Sequence, residues 1–332
     1  MVAGGWPESD VIDERRRDEA PWVRSAILAG KPFHYRRLPA WAHNALNLGA
    51  LVGVLGVVAV TLALGRGATP WPSVPAAGVV FGWCYFALIV LVVHEASHGM
   101  FVVARGREAR RRWNRVFGRI FTVPFVIDYV RHWEEGHVIH HRIPIEPGDP
   151  QALNRLTGVE LLRDVAILVL VPGSVLVHRF LTRRAKSRRS ASRWTFPAFA
   201  VFWVVIGAAV WHWISGAALL ALLYGLQILS AVNQVKGSLE HGGPIAFDRN
   251  PYLRSRTSLF PGRRLLLPFN ITLHFEHHLN DAVPWYALLR YQRALRAIVP
   301  RELHGEVWNH DLWAQLCGRK GALPAVSTRS GE

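Results

Sequence analysis

Nine of the 16 histidines in this chain lie in four short groups. The groups are HEASH (His94, His98), HVIHH (His137, His140, His141), LEHGG (His241) and HFEHH (His274, His277, His278). Residues four apart on a helix share one face, so each of the three longer groups presents a pair of imidazoles one turn apart. We call HEASH, HVIHH and HFEHH the first, second and third histidine groups, and we refer to the group LEHGG by its residue His241. Imidazole nitrogen binds zinc, copper, iron and nickel. The spacing therefore predicts a metal site that the groups share.

The number of histidines indicates how many ions the site holds. A structural zinc ion takes four ligands, so eight or nine nitrogens suit two ions. The chain has two cysteines, Cys84 and Cys317, which excludes a disulfide framework or a cysteine-bound iron–sulfur centre within it. Nitrogen-rich ligation of two metals favours a di-iron centre for oxygen chemistry. A di-zinc hydrolytic site is the chemical alternative.

Long apolar runs must position these groups. About half of the residues (51%) are hydrophobic, and four runs are free of charge or nearly so: 48–65, 74–93, 196–214 and 216–232. A helix of roughly 20 residues crosses a hydrocarbon core about 30 Å thick. We expect an all-α integral membrane protein with about four transmembrane helices, and each histidine group lies just beyond, or at the end of, a membrane segment.

One further segment, 159–180, is ambiguous. Arg163 and Asp164 interrupt its first part and Pro172 its second, which leaves an apolar stretch too short for a comfortable crossing. If it crossed, the third histidine group would lie on the opposite side of the membrane from HEASH. We therefore expect an interfacial or re-entrant helix.

The formal net charge of +16 comes mostly from arginine. The arginines flank the apolar runs, in segments 99–158 and 179–193, a pattern typical of cytoplasmic loops and of contact with anionic lipid rather than with nucleic acid. The first 40 residues have no apolar stretch of signal-peptide type. These features predict a bacterial inner-membrane protein with its histidine boxes on the cytoplasmic side.

The histidine pattern resembles that of the membrane fatty acid desaturase superfamily, whose boxes read HxxxH, HxxHH and HxxHH with a lone histidine before the last. The resemblance extends to neighbouring residues in HHRIPIEPGDP (140–150), SLEHGG (238–243) and NITLHFEHHLNDAVPWYAL (270–288). It covers roughly residues 45–295. We expect residues 1–44 to form a cytosolic N-terminal segment and residues 296–332 a cytosolic C-terminal tail.

The resemblance implies a non-haem di-iron enzyme that uses O2 to abstract hydrogen from a fatty acyl chain and leave a double bond. It implies two iron ions, in a histidine-rich cytosolic cap, with all nine histidines as ligands: His94, His98, His137, His140, His141, His241, His274, His277 and His278. Hydroxylation or ketolation of a lipid, hydrocarbon or carotenoid is the alternative reaction. A non-catalytic zinc-binding membrane protein is the alternative of another class.

The expected partners follow from the same chemistry. The substrate would be a lipid or an acyl chain on a carrier. The chain has no cytochrome b5-like haem motif and no clear dinucleotide fingerprint, so electrons would come from a separate ferredoxin or cytochrome b5-type protein. The basic surface would attract an acidic donor. Candidates for orienting the ligand imidazoles, by their position in the sequence, are Glu95, Asp149, Glu240, Glu276 and Asn270.

Overall fold

The computed structural model describes residues 21–66, 70–146, 148–151, 156–175 and 192–318. The described chain is mostly helical. Its α-helices are α1 (Pro21–Ala29), α2 (Ala40–Leu64), α3 (Pro70–Leu88), α4 (Glu95–Ser97), α5 (Arg107–Thr122), α6 (Gly136–Arg142), α7 (Gly158–Leu170), α8 (Thr195–Trp213), α9 (Gly216–His241), α10 (Arg263–Leu266), α11 (His274–Leu279), α12 (Leu288–Leu295), α13 (His304–Val307) and α14 (Leu312–Leu316). Two short strands, β1 (Thr257–Ser258) and β2 (Trp308–Asn309), pair in parallel.

Four helical stretches of the described chain are long and apolar enough to cross a membrane, as the sequence predicts. They are Ala40–Leu64, Ser73–Ser97, Thr195–Trp213 and Gly216–His241. The second consists of α3, a π-helical turn at Ile89–His94 and α4. It is the central span, because 72% of its apolar window is buried inside the protein, compared with 11–39% for the other three.

The central span packs most closely against the fourth. A Cβ atom on Gly225 would lie 2.8 Å from Phe81 Cβ and 3.1 Å from the backbone nitrogen of Gly82. A Cβ atom on Gly82 would in turn lie 2.4 Å from Ile228 Cγ2. Small residues allow membrane helices to approach this closely, and the contact fixes the ends of the two helices relative to each other. Those ends carry the first histidine pair and His241.

The ends of the four spans alternate between two faces of the protein. On the face without the histidine groups, Ser215 Oγ donates to the carbonyl of Gly65 at 3.1 Å and joins the two connecting turns. On the histidine face, His43 near the start of α2 contacts the carbonyl of Met100, just beyond the central span. The backbone of Ser192, before α8, donates to Asp128, which precedes the second histidine group.

Helix α7 contains the first part of the ambiguous segment 159–180. It has 13 residues, fewer than a crossing needs, as expected for a segment that does not span; residues 176–180 lie outside the described chain. The amide of Gln227, in α9, donates to the carbonyls of Leu168 and Val171 and accepts from the backbone of Gly173. Gln227 lies 14 residues before His241, roughly 21 Å along the helix axis. The end of α7 therefore reaches well into the depth of the spans.

The described parts of both flanking segments pack against the third histidine group. Val23 and Ala26 of α1 lie in one buried cluster with Phe275, Tyr291 and Trp308. The Tyr291 hydroxyl donates to the carbonyl of Ala26 at 2.8 Å. The domain boundaries at residues 45 and 295 stay predictions, but the core around HFEHH includes chain from outside them.

Candidate metal centre

The first histidine group begins at the last residue of a π-helical turn, and the second follows such a turn. Ile89–His94 precedes α4, and Val130–Glu135 precedes α6. A π-helical turn holds an extra residue relative to an α-helical one and so rotates the side chains that follow; such turns are frequent at functional sites. His241 is the last residue of α9, and the third group forms α11. All four groups meet on the same face of the protein.

Eight of the nine predicted histidines form two sets of four, and within each set the nearest nitrogens lie within 4.8 Å of one another. We call these the first set (His94, His98, His137, His277) and the second set (His140, His241, His274, His278). Each set combines side chains that are more than a hundred residues apart in sequence. The third group contributes to both sets, because His277 lies in the first set and His274 and His278 lie in the second.

The ninth histidine, His141, lies between the two sets. Its Nε2 atom is 3.2 Å from His137 Nε2 in the first set. Its ring stacks on that of His278 in the second set, with centroids 4.3 Å apart. The structure therefore brings all nine predicted residues together, with His141 as the link between the sets.

Acceptors outside the sets determine which ring nitrogens carry hydrogen. His140 Nδ1 is 2.8 Å from Asp149 Oδ2, and His241 Nδ1 is 2.7 Å from the carbonyl of Arg254. His137 Nδ1 is 2.6 Å from Gln151 Oε1. These oxygens only accept hydrogen bonds, so each Nδ1 is protonated and each Nε2 presents a lone pair to the interior of the site.

The interior of the site is chemically suited to a cation. The Nε2 atoms of His241 and His278 both lie 2.9 Å from His274 Nε2, and those of His94 and His277 are 3.0 Å apart. His98 Nε2 is buried and has no hydrogen-bond partner among the described residues. Lone pairs that face each other at this distance repel, and a metal ion removes the repulsion by binding them. The residues therefore fit a metal centre with nitrogen ligands.

Burial keeps these imidazoles neutral. It lowers the pKa of His137, His141, His277 and His278 well below 6.5, and the neighbouring histidines lower it further. Histidine binds metal only in its unprotonated form. The imidazoles are thus ready to bind an ion near neutral pH without releasing a proton.

Three of the five proposed orienting residues contact a histidine. Asp149 accepts from His140, Glu240 Oε1 lies 3.3 Å from His274 Nδ1, and Glu95 Oε1 lies 3.6 Å from His94 Nδ1. Glu276 instead accepts from the Thr257 hydroxyl and, at 2.7 Å, from Trp308 Nε1. Burial raises the pKa of Glu276 to about 7 in spite of these hydrogen bonds.

Asn270 also has a different contact from the one expected. Its backbone is left-handed (φ 53°), and its amide donates to the carbonyl of Trp285 at 3.0 Å. Asparagine tolerates this conformation better than most residues do. Asn270 therefore shapes the turn into the third group.

A family model for fatty acid desaturase matches residues 69–310, which include all nine histidines. The chain belongs to the fatty acid desaturase family. The match, the apolar spans and the histidine sets together support an oxidoreductase that is a metal-binding membrane protein. The comparison with curated proteins gives no match.

Sequence reasoning missed several residues of this desaturase-family site. Asp281 Oδ2 lies 3.3 Å from His98 Nδ1, although the two residues are far apart in sequence. Gln151 follows Asp149 by two positions, but only the turn between them directs its oxygen at His137. His43, which lies outside the four histidine groups, is fully buried and contacts Tyr286, Asn47 and the carbonyl of Met100, two residues after His98.

Proposed function

We propose that this protein is an O2-dependent, membrane-bound di-iron lipid desaturase that introduces a double bond into a fatty acyl chain. The observation that supports the proposal best is the pair of four-histidine sets, linked by His141, at the ends of apolar spans in a chain of the desaturase family. Nitrogen ligation without cysteine suits iron, and each of the two sets offers four ligand atoms for one ion.

The nine histidines would hold the metal. The first set would bind one iron and the second set the other, with His141 between them. Asp149, Gln151 and the carbonyl of Arg254 hold their histidines with Nε2 unprotonated, so the ligand atoms are oriented before metal arrives. Bound iron would supply the activation of O2 and the removal of hydrogen from an unactivated C–H bond.

The stoichiometry requires an external reductant. One CH2–CH2 unit gives up two electrons and two protons when it becomes CH=CH. The reduction of O2 to two waters takes four of each. The remaining two electrons come from a one-electron carrier protein in two encounters, and the remaining two protons come from water. The substrate would be a lipid or a carrier-bound acyl chain that reaches the site from the bilayer.

The site would lie on the cytoplasmic side of a bacterial inner membrane. The arginine-rich segment 99–158 follows the first histidine group and contains the second, and the positive-inside tendency places such segments in the cytoplasm. A cytoplasmic site is also accessible to soluble electron carriers.

Metal and product analysis tests the proposal. The purified protein should contain close to two iron ions per chain, and it should convert a saturated acyl lipid to an unsaturated one only when both O2 and a reduced carrier are present. His278→Ala should abolish turnover and still insert into the membrane. Zinc as the sole metal, or O2-independent turnover, would contradict the proposal. Incorporation of oxygen from ¹⁸O2 into the lipid would identify a hydroxylase instead.

A further inference from the structure

Four carboxylates lie next to ligand histidines in the described chain, and one of them is open to solvent. The side chain of Asp281 is 53% exposed, whereas those of Glu95, Asp149 and Glu240 are at most 5% exposed. Asp281 contacts His98, whose ring lies within the first set. A single polar contact therefore separates solvent from a histidine at the centre of the site.

Four basic residues border this opening. The backbone of Tyr35 donates to the carbonyl of Ala282 at 3.2 Å, which places segment 31–37 beside Asp281. The Tyr35 hydroxyl accepts from Arg36 Nε at 3.1 Å and from the guanidinium group of Arg110. Arg110 Nε also lies 3.7 Å from the position of a Cβ on Gly99, the residue after His98. We call Lys31, Arg36, Arg37 and Arg110 the basic rim.

The basic rim places four positive charges around the single carboxylate of Asp281. Lys31, Arg36 and Arg37 are exposed, and no member of the rim forms an ion pair with a described residue. The neighbouring Arg111 and Arg115 differ, because both pair with Glu134, at 2.8 and 2.6 Å. The rim thus keeps a positive potential at the point where solvent comes nearest to His98.

We propose that the basic rim around Asp281 is the docking surface for an acidic one-electron carrier protein. The inference rests on the proposed function and adds the place where electrons enter. In each encounter the carrier would give up one electron to the site, and two encounters would supply the two electrons of one turnover. A positive surface steers an acidic partner and raises its association rate. Anionic lipid would also satisfy these charges, but the position of the rim beside His98 favours the carrier.

Carbodiimide cross-linking tests the location without relying on turnover. The reagent joins carboxylates of an acidic carrier to lysine amines, and the chain has four lysines: Lys31, Lys186, Lys236 and Lys320. With a [2Fe–2S] ferredoxin, and separately with the soluble domain of cytochrome b5, at least one carrier should cross-link mainly to Lys31, and salt should suppress the product. Cross-links confined to Lys186 or Lys320 would overturn the inference. Iron content and product analysis test the proposed function separately.

A matched pair of variants tests the charges. Arg36→Gln/Arg37→Gln keeps Lys31 available and should raise the KM for the carrier on the order of tenfold at low ionic strength. The difference from wild type should disappear at high salt. Arg249→Gln/Arg301→Gln removes two exposed charges elsewhere and should leave this KM unchanged. An equal rise in both variants would overturn the inference. The inference would also be overturned if anionic lipid in nanodiscs protected Lys31 from acetylation and the carrier gave no further protection.

Discussion

At the scale of single residues, Asp149 orients His140 through one hydrogen bond and is itself held in place by two backbone hydrogen bonds. Its Oδ2 accepts from His140 Nδ1 at 2.8 Å and from the backbone of Ile145 at 2.9 Å, and its Oδ1 accepts from the backbone of Gln151 at 2.8 Å. Both oxygens are needed, and asparagine has only one. Asp149→Asn should therefore weaken iron binding by the second set by about 10–100-fold. Iron retained per chain after a chelator challenge measures the effect.

Asp248→Asn is the control for this experiment. Asp248 also caps a backbone turn, through a 2.8 Å bond from Asn250, but it contacts no histidine of either set in the described chain. This variant should keep its iron under the same challenge. An equal loss in both variants would mean that Asp149 supports the fold in general rather than His140.

His241 tests whether the two sets bind metal independently. It belongs to the second set alone, with its Nε2 atom 2.9 Å from that of His274. His241→Ala should lower the iron content from two ions per chain toward one, because the first set keeps its four histidines. His212→Ala, which alters an exposed histidine at the opposite end of the spans, should keep both ions. Loss of all iron from His241→Ala would show that the sets bind cooperatively.

Residue spacing predicted which histidines the fold brings together but not everything that orients them. The i, i+4 pairs are local features of a helix, so the sequence contains them directly. The contact between His98 and Asp281 joins the central span to the end of the third group, and it exists only after both have folded. The contact between Gln151 and His137 could not be predicted either, because it depends on the folded turn that holds the Gln151 backbone against Asp149.

At the scale of elements, the C-terminal segment supports the third histidine group through one indole. Trp308 Nε1 donates to Glu276 Oε1 at 2.7 Å, and both side chains are buried. Trp308→Phe keeps an aromatic side chain but removes the donor and part of the buried ring volume. An unsatisfied buried acceptor destabilises a protein by about 1–3 kcal/mol. We expect a lower unfolding temperature in detergent and weaker iron binding through α11.

The control for Trp308 is Trp313→Phe. Trp313 is 71% exposed, so the same chemical change there should leave the unfolding temperature and the iron content unchanged. If Trp308→Phe behaves like Trp313→Phe, the third group does not depend on this contact.

The glycine contact between the central and fourth spans is a second feature of the elements that can be tested. Gly225→Ala places a methyl group 2.8 Å from Phe81 Cβ and 3.1 Å from the backbone of Gly82, so the helices must move apart. Overpacking of this kind destabilises by about 1–3 kcal/mol. Thermal unfolding in detergent measures the change. Gly53→Ala, in α2, meets no atom within 4 Å and should be neutral or slightly stabilising; a similar loss there would contradict the close-contact explanation.

The apolar runs predicted the spans well, because a bilayer crossing imposes a length and a composition that a single sequence shows. The π-helical turns at Ile89–His94 and Val130–Glu135 were not predicted, since their sequences are also compatible with ordinary α-helix. The packing of α1 against α11 and α12 was not predicted either. It depends on buried contacts such as that between Ala26 and Tyr291, which no local pattern reveals.

At the scale of the whole molecule, the four spans of the described chain and the dipping helix α7 explain how four distant histidine groups reach one face. The chain leaves the central span at the first group, and α9 returns it to the same face at His241. The segment between them contains α7, and both of its described ends lie on the histidine face. At one end α7 begins near Cys317, and at the other Ser192 contacts Asp128. A full crossing at 159–180 would place the third group away from the others.

This topology predicts a pattern of accessibility that cysteine labelling can measure. The background for labelling is Cys317→Ser, in which the remaining cysteine, Cys84, is buried. One further cysteine is then introduced at each of three exposed positions in turn: Val159, Ser192 and Arg66. Val159→Cys and Ser192→Cys should react with a membrane-impermeant maleimide in inside-out vesicles, and Arg66→Cys only in right-side-out vesicles. If segment 159–180 crossed the bilayer, Ser192→Cys would label together with Arg66→Cys instead. Labelling of all three from one side would contradict the four-span topology itself.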